Sequence, residues 1–108
     1  FAVAVSNVGS SGSITVTADN GATTIPGIAS YEVCQTNPGT GACVSGRAAS
    51  QTVTINANDT ATFGIFVRGN GTAISNDPAR NRVFVRFREG GAAGTERGAT
   101  SVAVRTTP

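Results

Sequence analysis

Seven short stretches of this chain alternate apolar and polar residues with period two, the spacing that puts every second side chain on one face of a β-strand. They cover positions 1–6, 13–18, 28–34, 52–56, 61–67, 82–88 and 99–105. The first carries Phe1, Val3 and Val5 on one face, the second Ile14 and Val16, and the third Tyr31 and Val33. In the fourth and fifth, Val53 and Ile55, then Phe63, Ile65 and Val67, are expected to point inward. The sixth places Val83, Val85 and Phe87 inside, and the last Val102 and Val104. The outward positions are mostly Ser, Thr and Arg, so each strand has one face fit for a core and one fit for water.

The segments between them are rich in residues that tolerate positive φ or preset a turn. Examples are Gly9-Ser10-Ser11-Gly12, Asn37-Pro38-Gly39 and Glu89-Gly90-Gly91. No window keeps a helical period; at most one turn is expected around Asp77-Pro78-Ala79-Arg80, with Asp77 capping it. Seven strands in 108 residues suit one domain. The predicted fold is all-β, an immunoglobulin-like two-sheet antiparallel sandwich of about seven strands spanning 1–108.

A resemblance supports that architecture. The run Thr52-Val53-Thr54-Ile55-Asn56-Ala57-Asn58-Asp59-Thr60-Ala61-Thr62-Phe63-Gly64-Ile65-Phe66-Val67 is a strand, a polar turn and a strand opening Thr-Ala-Thr-Phe. Together with the closing pair of strands, Arg82-Val83-Phe84-Val85-Arg86-Phe87 and Thr100-Ser101-Val102-Ala103-Val104, it resembles the bacterial immunoglobulin-like repeat domains of secreted and surface proteins. The resemblance implies an extracellular structural or adhesion module. The antibody-type Cys…Trp…Cys core is missing, since the chain has no Trp and its cysteines are too close to pin two sheets together.

Cys34 and Cys43 bracket the turn-rich positions 35–42. With no histidine and no further cysteine to complete a metal site, the pair reads as a disulfide staple across a loop or hairpin. That implies an oxidising compartment, extracellular or cell-surface, with the periplasm included. Closing so short a loop stabilises the fold by roughly 2.5–3 kcal/mol in the chain-entropy treatment. No apolar run has the length of a membrane-spanning helix. The chain starts at Phe1 and contains no Met, so it is expected to be a segment of a longer protein.

Composition argues against several functions. Without His or Lys, and with both cysteines paired, the usual general bases and activated nucleophiles are missing, so no catalytic residue and no cofactor is expected. The carboxylates Asp19, Glu32, Asp59, Asp77, Glu89 and Glu96 are scattered over turns and outward strand positions. A sequence pI of about 9.0 comes from a net charge of only +2, too small for nucleic acid. The turns Asp19-Asn20-Gly21 and Asn76-Asp77 offer oxygens but no spaced acidic set for calcium, and no metal is expected. Asn58-Asp59-Thr60 and Asn70-Gly71-Thr72 match the glycosylation sequon and are expected to be bare turns in a bacterial chain.

Two features carry the binding and assembly candidates. Arg82, Arg86 and Arg88 share the outward face of one strand with Phe84, forming a stripe able to meet an acidic polysaccharide. The ordinary alternative is pairing with carboxylates of this same chain, such as Glu32, Glu89 or Glu96. Phe84 and Phe66, the outward aromatics, would otherwise pack under a loop or a neighbouring domain. The first eighteen residues carry no charge, which leaves the edge at Phe1, Val3 and Val5 unguarded and open to another strand.

Function is therefore expected to be non-catalytic: a spacer or ligand-presenting adhesion module, with loops 35–42, 69–80 and 89–98 as contact surface. Its partners would be neighbouring domains or identical subunits. A filament or matrix subunit joined by strand exchange, and a small module for acidic glycans, are the alternatives.

Overall fold

The computed structural model describes residues 1–21, 25–91 and 93–106. Seven strands build it: β1 (Ala2–Ser6), β2 (Gly12–Asp19), β3 (Ile28–Thr36), β4 (Ser50–Ile55), β5 (Thr60–Gly69), β6 (Arg82–Glu89) and β7 (Glu96–Ala103). All seven predicted strands are present, with ends moved by a few residues. The largest shift is in β7, which starts at Glu96 because Arg88 pairs with it across a register break after Phe87. The expected turn after Asp77 forms, with the amides of Arg80 and Asn81 donating to the Asp77 carbonyl at 3.1 and 2.8 Å.

The strands form two antiparallel sheets, β1-β5-β3 and β4-β2-β6-β7. This is the expected all-β two-sheet sandwich. Each connection from β1 to β6 crosses between the layers, and β6 and β7 alone follow one another within a sheet. The antibody constant-type arrangement divides its strands differently, with the first, second, fourth and fifth together.

The inward faces fill the space between the layers. Val16, Val33, Ile55, Phe63, Ile65, Val85 and Phe87 are buried in one cluster, with Val3, Val5, Ile14, Ala18 and Val53 packed against it. The rings of Phe63 on β5 and Phe87 on β6 meet with centroids 6.3 Å apart, tying one sheet to the other. Phe1 departs from its expected inward place: it is 42% exposed, one residue outside β1.

Outside the strands, Ile25 and Ile74 are also buried. Gly27 lies against Ile74, and a Cβ there would overlap both that side chain and the Thr72 carbonyl, so only glycine fits. The Tyr31 hydroxyl is buried without a hydrogen-bond partner. Burial, with the charge of Asp19 adding to it, pushes its pKa up.

The expected disulfide is present. Cys34 and Cys43 are joined with their Cα atoms 5.7 Å apart. Cys34 is fully buried on β3, while Cys43 lies on the exposed return of the loop. Inside the loop, Asn37 donates its amide to the Ala42 carbonyl at 2.9 Å and accepts the Gly39 amide on Oδ1 at 2.8 Å. Beyond it, positions 44–48 run along the free side of β3. The Val44 amide donates to the Gln35 carbonyl (2.8 Å), and Val33 and Ala48 exchange two backbone bonds at 2.7 and 3.1 Å. The Gln51 side chain locks this corner by donating to the carbonyls of Val33 and Gly46.

Candidate functional site

β6 carries the arginine stripe because its alternation leaves Arg82, Phe84, Arg86 and Arg88 on the outer face of the four-stranded sheet, opposite the buried Val83, Val85 and Phe87. The flanking strands supply the neighbours. β2 brings Thr17 opposite Arg86 and Asp19 opposite Phe84, and β7 brings Ser101 opposite Phe84 and Glu96 opposite Arg88.

Arg86 grips Asp19 with two prongs, Nε to Oδ2 at 2.7 Å and Nη2 to Oδ1 at 3.3 Å. Its remaining nitrogen, Nη1, donates to Glu96 Oε1 at 3.2 Å. Arg88 donates to Thr17 Oγ1 (3.1 Å) and lies 3.8 Å from the same Glu96 oxygen. Arg82 donates Nε to Ser101 Oγ and Nη1 to the Pro78 carbonyl, at 3.1 and 2.8 Å. Each of the three arginines is thus held by acceptors of its own chain.

Electrostatics follow this geometry. Burial alone would raise the pKa of Asp19. The hydrogen bonds from Arg86 and from the Gly21 amide (2.7 Å), with the charges of Arg86 and Arg88, outweigh it and hold the carboxyl below the usual range. Arg86 is pushed up in turn, first by its hydrogen bonds to Asp19 and Glu96.

Phe84 does not stand free. The Arg86 guanidinium lies over its ring at 5.3 Å, and the left-handed Gly21 (φ +66°) sits so close that a Cβ would meet the ring at 2.8 Å. Phe66, on the outer face of the other sheet, lies under Arg47 at 3.9 Å, and Arg47 also donates to Glu32 Oε1 at 3.1 Å.

Of the carboxylates expected to meet the stripe, Glu96 alone does so. Glu32 sits on β3 in the other sheet with Arg47 and Arg68, and Glu89 pairs with Arg97. The principal partner is Asp19, which the sequence pattern places in a turn and the structure places at the end of β2. The pairing of β2 with β6 brings it in, and nothing in the local sequence announces that pairing.

The calcium-type turns serve the backbone: Asp19 Oδ1 accepts the Gly21 amide, as already described. Among the described residues no three acidic or cysteine side chains converge as metal ligands. Asn70 of the second sequon donates Nδ2 to the Pro26 carbonyl at 2.6 Å, whereas Asn58 of the first is exposed at φ 66°.

A cavity of about 470 Å³ opens under the β1–β2 loop. Its floor is Ile14, Ile55 and Phe87, and its rim includes Ser10, Ser11 and the Glu89–Arg97 pair. Of the predicted contact loops, 35–42 begins inside β3 with Thr36 buried and 69–80 contains the buried Ile74, while their other described positions are half-buried or exposed; position 92 of loop 89–98 lies outside the described residues. Among those residues no helix is long and apolar enough to cross a membrane. The chain matches no known protein family, no curated protein and no solved structure.

Proposed function

We propose that this chain is a non-catalytic structural module, a spacer or ligand-presenting unit of a larger extracellular or cell-surface protein, related in kind to bacterial immunoglobulin-like repeats. The observation that carries the reading is the internal neutralisation of the arginine stripe. A site for an acidic glycan would leave its cations unpaired and exposed before the ligand arrives. Here Arg86 is closed by two carboxylates, and its side chain is only 23% exposed. Other support comes from the disulfide, which fits an oxidising compartment, and from the 42 Å long axis, which sets a fixed distance between whatever flanks the domain.

Retention on a polygalacturonate column tests this against the glycan reading. Wild type and Arg86→Ala are expected to elute together near the void, and only the melting temperature should drop. Strong wild-type retention that Arg86→Ala abolishes would transfer the function to the stripe. The filament reading draws on one further observation, the open outer side of β1, which leads to a more definite partner.

A further inference from the structure

We propose that β1 is a self-pairing edge: two copies of this chain associate antiparallel through β1 about a two-fold axis at Ala4. Phe1 and Ile65 exchange backbone bonds, Phe1 N to Ile65 O at 2.8 Å and Ile65 N to Phe1 O at 2.6 Å. Bonded pairs alternate in an antiparallel ladder, and the β1–β5 register runs unbroken from Ala2–Gly64 to Ser6–Thr60. Val3 and Val5 therefore also use their backbone groups on β5. The N–H and C=O groups of Ala2, Ala4 and Ser6 point the other way. The expected edge residues Phe1, Val3 and Val5 thus face β5 with their backbones, and the alternate residues form the open side.

An interface about a two-fold axis must be complementary to itself, residue i meeting j while j meets i. Ala-Val-Ala-Val-Ser is nearly a palindrome in size and shape. Centred on Ala4, it sets Ala4 against the partner's Ala4, and Ala2 against the partner's Ser6. Those pairings add about six backbone bonds. Val3 comes beside the partner's Val5 on the core side, where both are half-buried now. Ala2 and Ala4 are too small to obstruct the approach.

The usual guards of a free edge are charge, proline and bulges, and β1 has none of them. Of the other edge strands, β3 is covered by positions 44–48 and β7 is guarded by Glu96, Arg97 and its register break, while β4 carries no charge either and serves as the control below. Two of the three large exposed apolar side chains among the described residues, Phe1 (42%) and Val8 (91%), lie just beyond the two ends of β1, and the third, Val44, lies beside β3. In this register Phe1 lies beside the partner's Asn7, one residue from the partner's Val8. The contact closes after two copies, so it makes a dimer and no filament. It stands apart from the spacer reading, which holds for a monomer or a dimer alike.

Sedimentation of the disulfide-intact 108-residue chain tests the idea. So small an interface predicts a weak dimer, with Kd of roughly 0.1–1 mM. Ala4→Lys and Ala4→Glu put like charges face to face at the axis and should each weaken association about tenfold or more. An equimolar mixture of the two variants should restore a mixed dimer. Thr54→Lys on β4, the other uncharged edge strand, should change nothing. β-type circular dichroism of each variant confirms that the exposed substitution leaves the fold intact. A wild type that stays monomeric at millimolar concentration would refute the proposal. So would a dimer indifferent to Ala4→Lys, one broken by Thr54→Lys, or variants that fail to pair when mixed.

Discussion

At the residue scale, the most informative contact is the fork between Arg86 and Asp19. Their side chains are 23% and 38% exposed, so solvent screens the pair and its contribution is below about 1 kcal/mol. The sign of its pH dependence is set by the lowered pKa of Asp19. The stabilisation is fully present above the ordinary aspartate range near pH 4 and is lost as pH falls through the lower folded-state value. Asp19→Asn should therefore cost a few tenths of a kcal/mol to about 1 kcal/mol at pH 7 and almost nothing near pH 2. Urea unfolding at the two pH values measures this; an equal cost at both would mean that the carboxylate charge is irrelevant. Local sequence placed Arg86 on the outer face correctly. It could not name Asp19, because that partner lies 67 positions away along the chain. Thr15 teaches the same lesson. It faces outward as its alternation requires, yet it is buried, because the Gly90 carbonyl lies over it and accepts its hydroxyl at 3.0 Å while the Thr52 hydroxyl lies 2.8 Å away.

At the element scale, the loop held by Cys34 and Cys43 does more than close on itself. It delivers 44–48 to the free side of β3 and carries the chain over to β4 in the other sheet. Replacing both cysteines by alanine should lower stability by about 2–3 kcal/mol through the freed unfolded chain. Amide exchange should then rise first at Val44 and Ala48, whose bonds to β3 depend on the loop, while the β2–β6 ladder stays protected. Uniform loss of protection over both sheets would show that the loop is not a separate unit. The staple could be read from two cysteines and the turn residues between them. The docking of 44–48 could not, because that stretch has no alternation and is held by backbone bonds and by Gln51.

At the scale of the whole molecule, stability comes from one apolar layer shared by both sheets. Phe63 is at its centre, fully buried and in contact with Phe87 from the opposite sheet. Phe63→Ala should cost about 3–5 kcal/mol, read from a shifted denaturation midpoint. A loss under 1 kcal/mol would mean that the layers collapse over the gap and that this contact does not join them. The β1 edge belongs to the same scale: its openness arises from the order β1-β5-β3, which among the described residues gives β1 a neighbouring strand on one side only.

The chain's own alternation determined that there are seven strands, which face of each is apolar, and that a short disulfide loop interrupts them. Those are consequences of period-two geometry and local turn chemistry, which act over a few residues. Which strands share a sheet was decided only in three dimensions. So were the closing of Arg86 by a distant aspartate, the burial of Ile25 and Ile74 outside any strand, and the exposure of β1. Each depends on which segments meet across long intervals of sequence, and pairing between such segments follows from packing the common core rather than from any local pattern.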